Sequence, residues 1–79
     1  MTKEEVLGQV QEIFRSVFDD ESLDISRNTA AEDIEGWDSM EHINLIVAME
    51  KTFGIKFSIE EAGSLKNVGE MIDLIQKKL

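Results

Sequence analysis

Few side chains in this sequence have the chemistry that catalysis requires. The chain of 79 residues contains one histidine and no cysteine, and it has no glycine-rich segment of the kind that cradles phosphate groups. His42 lies three residues after Ser39, so on a helix the two would be neighbours, as a nucleophile and its base must be. A chain of this length leaves little room for a substrate pocket of ordinary size. We therefore interpret His42 as a solvated surface residue and expect no enzymatic activity.

A metal site is the second possibility to test. Asp20, Ser22 and Asp24 alternate as calcium ligands do in a helix–loop–helix calcium site. The pattern then fails, because Ile25 stands where the turn needs glycine and Ala31 where the bidentate glutamate should be. We expect no specific metal site, and only weak divalent binding stays open.

Ser39 has a position that suits covalent modification. It directly follows Asp38, a good N-cap, and so would be the first residue of a helix. An anion attached to its hydroxyl would meet the positive end of the helix dipole and free backbone N–H groups. The simpler alternative is that Ser39 only helps to start the helix.

Apolar periodicity predicts the elements that hold these residues. Three stretches have helical spacing, and a shorter helical turn precedes the last one. Capping residues mark the helix ends, with Thr2 and Glu5 as one capping box, Asp38 and Glu41 as a second, and Gly54 after the second helix. The predicted bounds are about Thr2 to Phe18, Ser39 to Phe53, Ile59 to Ala62 for the short turn, and Asn67 to Lys78.

A long connection separates the first two helices, from Asp19 to about Asp38. Thr29 and Glu32 could start a short turn within it, and Ile25, Ile34 and Trp37 are expected to anchor it on the core. Residues 53–59 alternate apolar and polar side chains, but a single short strand would have no partner, so we expect an extended connection. The predicted fold is all-α, a single domain over residues 1–79 with three main helices and one short helix.

The second helix carries two apolar rows rather than one. Leu45, Ile46, Met49 and Phe53 form a plausible core face. A displaced row is formed by Met40, Ile43 and Val47, with Glu41 and Glu50 beside it. Either the helix is central and covered on most sides, or the second row is an exposed docking strip for a basic partner.

The composition narrows the choice of partners. Eight basic residues against 17 acidic ones give a net charge of −9, with 42% hydrophobic residues. Such a charge disfavours nucleic acid and anionic membranes and favours partners with basic patches. The longest apolar run is far too short to span a bilayer and no secretory signal is visible, so we expect a cytoplasmic protein, and a monomer.

The segment Gly36-Trp37-Asp38-Ser39-Met40 resembles the Asp-Ser-Leu/Met attachment motif of acyl carrier proteins. Its surroundings are similar to that family too, and the resemblance covers essentially the whole chain. The matching segments are Glu32-Asp33-Ile34 upstream and, downstream, Glu50-x-x-Phe53-x-Ile55-x-Phe57, Glu60-Glu61-Ala62 and Val68.

The resemblance implies a carrier without catalytic activity of its own. A phosphopantetheinyl transferase would move 4′-phosphopantetheine from coenzyme A onto Ser39, and the thiol of this arm would carry acyl groups between loading and synthase enzymes of fatty acid, polyketide or related biosynthesis. The second helix would be the recognition helix. The implied partner-binding residues are Asp38, Met40, Glu41, Ile43, Val47 and Glu50. Met49 and Met71 would line the space for a cargo that folds back into the bundle.

Four positions depart from the pattern of fatty-acid carriers and leave the pathway open. They are Trp37, Asn44, Lys51 and Ser58. Two alternatives therefore stand beside the acyl cargo. One is an aminoacyl carrier, for example of D-alanine, and the other is an unmodified acidic adaptor that uses the same apolar row.

Overall fold

Five helical segments follow one another along the chain in the computed structural model, which describes all 79 residues. The four α-helices are α1 (Lys3–Val17), α2 (Ser39–Phe53), α3 (Ile59–Ser64) and α4 (Val68–Lys78), and a 3₁₀ turn spans Ala31–Asp33. The prediction of three main helices and a short one is confirmed. No helix is long and apolar enough to cross a membrane.

The helix ends follow the capping residues in the sequence, with one exception. In α1, the Thr2 hydroxyl accepts from the Glu5 amide at 3.1 Å and the Glu5 carboxylate accepts from the Thr2 amide at 2.8 Å. In α2 only half of the predicted box forms, because the Glu41 carboxylate accepts from the side-chain amide of Asn44 instead of from the Asp38 backbone. Gly54 ends α2 in the left-handed conformation, with φ of +67°.

The core is entirely apolar and is shared by the three long helices, the long loop and the segment between α2 and α3. No polar side chain is buried. The amphipathic faces of α1, α2 and α4 meet there, as their periodicity predicts. The buried side chains are Val6, Val10, Ile13, Phe14, Ile25, Ile34, Leu45, Ile46, Met49, Ile55, Val68, Met71, Ile72 and Ile75.

The long loop is anchored as predicted, but its turn begins later. Ile25 and Ile34 are buried, and the half-buried Trp37 packs edge-on against Phe14 with ring centroids 5.2 Å apart. The prediction that Thr29 and Glu32 start the turn is wrong. The Asp33 carboxylate accepts from the Ala30 amide and fixes the 3₁₀ turn, whereas the Thr29 hydroxyl accepts from Ser26.

Backbone hydrogen bonds fasten the middle of this loop to the start of α4. The Val68 amide donates to the Thr29 carbonyl at 2.9 Å, and the Gly69 amide donates to the Arg27 carbonyl at 2.8 Å. A Cβ on Gly69 would lie only 2.9 Å from that Arg27 oxygen, so the close approach depends on glycine. The last part of the loop is thereby directed toward the start of α2.

The segment between α2 and α3 is extended and unpaired, as predicted. The Phe57 amide donates to the Glu50 carboxylate at 2.8 Å, which holds this segment against α2. It leads into α3, whose first turn is closed by a reciprocal Ser58–Glu61 capping box.

Candidate functional site

Ser39 is the first residue of α2 and is exposed to solvent. Its hydroxyl makes no hydrogen bond within the chain. The Asp38 carboxylate caps the helix by accepting from the Glu41 amide at 2.9 Å. The amides of Ser39 and Met40 have no acceptor within the chain, so an anion joined to the Ser39 oxygen would find free donors at a helix N-terminus.

A tight turn presents this serine. The Trp37 amide donates to the Ile34 carbonyl at 3.3 Å and the Asp38 amide to the Gly36 carbonyl at 3.0 Å. Gly36 has φ of +90°, a conformation that side-chain-bearing residues rarely adopt. Ile34 at the start of the turn is buried, and Trp37 at its end packs on the core. The start of α2 is thereby fixed to the core, while Ser39 stays exposed to solvent.

A groove of about 730 Å³ opens beside Ser39, between α2, α3 and the end of the long loop. Asp38 is the only carboxylate in its wall, and Ile59 at its rim is 93% exposed. The apolar lining includes Trp37, Ile43, Ile46, Ile59, Ala62 and Leu65.

His42 also lines this groove, and its interpretation as a solvated surface residue is wrong. The indole Nε1–H of Trp37 donates to His42 Nδ1 at 3.2 Å, and His42 Nε2 lies 2.8 Å from the Ala62 carbonyl oxygen. The two rings are nearly parallel, with centroids 6.0 Å apart and planes at 16°. Because both ring nitrogens are engaged, His42 is not available as a base for Ser39.

The exposed side of α2 carries the second apolar row. Met40, Ile43 and Val47 are 71%, 62% and 41% exposed, so the alternative in which α2 is covered on most sides is wrong. We call these three residues the apolar strip. On the opposite side Leu45, Ile46 and Met49 are buried, and the predicted core residue Phe53 is half-buried.

Comparison with known proteins points to one family. The family model described as "Phosphopantetheine attachment site" matches residues 8–75. The acyl carrier protein of Exiguobacterium sibiricum is 32% identical over the full length of both chains. That of Thermosynechococcus vestitus is 35% identical over all of this chain and 98% of its own.

Solved structures of acyl carrier proteins are similar to this chain as well. The holo acyl carrier protein from Geobacter metallireducens superposes with a TM-score of 0.86 at 49% identity, covering 92% of this chain and 84% of that one. The acyl carrier protein from Thermotoga maritima shares the fold, with a TM-score of 0.83 at 21% identity, over 96% of this chain and 88% of its own. The chain belongs to the acyl carrier protein family.

As an acyl carrier protein, the chain has 4′-phosphopantetheine as its prosthetic group. The relatives are carriers rather than catalysts. The site residues present suit this group, since an accessible hydroxyl, two free amides and an apolar groove lie side by side. No cluster of three or more metal-ligating side chains occurs in the structure.

The expectation that Met49 and Met71 line space for a cargo inside the bundle stays a prediction, because the groove of this carrier is a different space. Met49 and Met71 are fully buried in the core and do not reach the groove beside Ser39. Ile43 and Ile46 of α2 line the wall instead. Sequence periodicity placed both methionines on core faces but did not show where the bundle would open.

The charge around the carrier's serine is uniformly negative in sequence. Between Arg27 and Lys51 there is no lysine or arginine. The same stretch holds six carboxylates, on Glu32, Asp33, Glu35, Asp38, Glu41 and Glu50. The apolar strip is therefore part of an acidic segment.

Proposed function

We propose that Ser39 is the residue to which 4′-phosphopantetheine is attached. The observation that carries this proposal is the exposed, unbonded hydroxyl at the N-terminus of α2, within the part of the chain that matches the attachment-site family. The other serines lie elsewhere in the fold; Ser58, for example, uses its hydroxyl to cap α3.

The attachment is a phosphoryl-group transfer from coenzyme A. The Ser39 oxygen forms a bond to the phosphorus that bears pantetheine, the pyrophosphate bond of coenzyme A breaks, and adenosine bisphosphate leaves. The hydroxyl proton must go to a base of the phosphopantetheinyl transferase, because both nitrogens of His42 are engaged. The free amides of Ser39 and Met40, at the positive end of the helix dipole, would stabilise a phosphodiester anion on this oxygen.

The apolar strip and the surrounding carboxylates form the proposed docking surface. Loading and synthase enzymes with basic patches would contact Met40, Ile43 and Val47 as anchors, with Asp38 and Glu41 nearby. Glu50 is a weaker candidate, since its carboxylate already accepts from the Phe57 amide.

The cargo is proposed to be an acyl group of fatty acid, polyketide or related biosynthesis, shuttled by a non-catalytic carrier. The groove beside Ser39 is mainly apolar. An aminoacyl cargo such as D-alanyl would bring an ammonium group, and Asp38, the one carboxylate in the groove wall, is bonded to the Glu41 amide. The groove therefore suits an uncharged chain better.

Intact-mass measurement tests the attachment site. The chain is incubated with coenzyme A and a broad-specificity phosphopantetheinyl transferase, beside Ser39→Ala and the matched control Ser58→Ala. We expect the wild type and Ser58→Ala to gain one phosphopantetheine and Ser39→Ala to gain none. If a folded wild-type chain gains no mass, the unmodified acidic adaptor becomes the better account.

A further inference from the structure

A chain of two hydrogen bonds crosses the groove and joins three elements of the fold. Trp37 at the end of the long loop donates to Nδ1 of His42 on α2, and Nε2 of the same ring contacts the Ala62 carbonyl on α3. An indole N–H can only donate and a carbonyl oxygen can only accept. The geometry therefore fixes His42 as the neutral tautomer with its proton on Nε2.

The helix at the far end of this chain is weakly attached to the rest of the bundle. None of the six residues of α3 is buried. Ala62 is half-buried against the core, and apart from the bond to His42, α3 makes one polar contact with another element, the ion pair of Glu61 with Lys78 at 3.0 Å. The bond from His42 to Ala62 is thus one of only two polar contacts that hold α3 in place.

We propose that neutral His42 is a positioning residue that holds α3 as the far wall of the groove, and that a second proton on its ring displaces α3. With a proton on Nδ1 the imidazole has two donors, so the N–H of Trp37 and the new N–H would point at each other across 3.2 Å. The ring must then move away from the indole. Because Nε2–H donates to the Ala62 carbonyl, α3 moves with the ring.

Few charged groups lie close enough to pair with a protonated His42. Asp38 shares the groove wall with His42, but its carboxylate accepts from the Glu41 amide. The Glu41 carboxylate accepts from Asn44. Each of these carboxylates keeps its second oxygen free of hydrogen bonds within the chain, but neither carboxylate hydrogen-bonds to or pairs with His42 in this structure.

The other elements around His42 offer even fewer charged partners for its ring. On α3, Glu61 is paired with Lys78 of α4, and Glu60 is exposed. The loop contributes the uncharged Trp37 and Ala31 to the groove wall. His42 makes these two hydrogen bonds and no ion pair, so a second proton on its ring acts first on the bond from Trp37. The link from the groove to cargo rests on the proposed function, but the movement of α3 does not.

A pH titration of the unmodified chain by NMR tests the proposal, because the protein has one histidine and one tryptophan. The signals followed are the His42 ring protons, the Trp37 indole N–H, and the amides of Ala62 and Leu65. The titration runs from about pH 8 to about pH 5. We expect all four signals to shift with one common midpoint. A His42 titration that leaves the indole and α3 signals unmoved would overturn the proposal.

His42→Gln is the matched variant, since glutamine supplies an acceptor and a donor but takes no proton in this range. We expect its α3 amides to stay constant between pH 8 and 5. If they shift as much as in the wild type, carboxylates cause the movement and His42 is not the positioning residue. Loading of Ser39 is measured separately by mass, so failure of the carrier function and failure of this proposal give different results.

Discussion

A single methyl group at Gly69 is expected to disturb the contact between the long loop and α4. Its Cβ would lie 2.9 Å from the Arg27 carbonyl oxygen, which is backbone and cannot simply turn aside. Although alanine favours a helix over glycine by about 1 kcal/mol, we expect Gly69→Ala to lower the free energy of unfolding by about 1–3 kcal/mol.

Gly8→Ala is the control for this prediction. Gly8 lies within α1 with nothing within 4 Å of the added Cβ, so alanine should stabilise the protein there by about 0.5–1 kcal/mol. Both values are measured by urea unfolding followed by circular dichroism. Equal stabilisation at the two positions would mean that the loop moves away without cost.

The residues of the site differ in how far the sequence revealed them. Ser39 is a candidate from the sequence because a helix cap and a motif coincide there, both within a few neighbouring residues. His42 was misread because its partners are Trp37, outside the helix, and Ala62, 20 residues away. The one available signal is Trp37, directly before the N-cap. The indole N–H of a half-buried tryptophan needs a hydrogen-bond acceptor.

At the scale of elements, the two faces of α2 should respond differently to substitution. Val47 is 41% exposed within the apolar strip, so Val47→Glu should change the free energy of unfolding by less than about 1 kcal/mol. It should nevertheless weaken binding to a phosphopantetheinyl transferase or a loading enzyme, measured as Kd by calorimetry, because a charge replaces an apolar anchor.

Thr52→Glu adds the same charge to an exposed position of α2 outside the strip and serves as the control. It should leave Kd nearly unchanged. Equal weakening by the two variants would point to general repulsion rather than to an anchor. Loss of helicity in Val47→Glu would place Val47 in the core.

Elements with a strong apolar period were predictable, and those fixed by distant contacts were not. The bounds of α1, α2 and α4 follow from amphipathic stripes and caps. The 3₁₀ turn was placed too early because Thr29 has another role, its carbonyl accepting from Val68 of α4. The opening of the groove was not predictable, since it depends on where α3, with no buried residue, comes to rest.

At the scale of the whole molecule, self-repulsion should limit stability. The net charge of −9 is confined to a body of 28 × 25 × 21 Å. At about 10 mM salt the screening length is about 30 Å, so most charges interact, whereas at about 100 mM it is about 10 Å. We expect Tm, measured by calorimetry, to rise between these two conditions. A Tm that stays flat would show that ion pairs and repulsion cancel.

The ion pairs of Asp73 partly offset this repulsion, because they join α4 to α1 and to the long loop. Its carboxylate pairs with Lys3 at 3.1 Å and Arg27 at 3.0 Å, and hydrogen bonds from Arg27 and then Lys3 lower the pKa of Asp73 below its usual 3.8. Because the pKa is lower in the folded state, the ionised carboxylate stabilises the fold above pH 3.8. This stabilisation is lost as the pH falls through the lowered pKa.

Asp73→Asn should therefore lower Tm slightly at pH 7, and this difference should vanish in strong acid, where the wild-type carboxyl is also protonated. Glu60→Gln removes a carboxylate that has no partner within the chain and should not show this loss. A Tm difference for Asp73→Asn that is the same at pH 7 and pH 2 would contradict the ion-pair explanation.

The most direct test of the central claim is to locate the prosthetic group on the chain. The wild-type protein, loaded from coenzyme A, is fragmented in the mass spectrometer and the added mass is assigned to a residue. We predict that all of it lies on Ser39. Attachment to any other residue, or a folded chain that accepts no group, would contradict it.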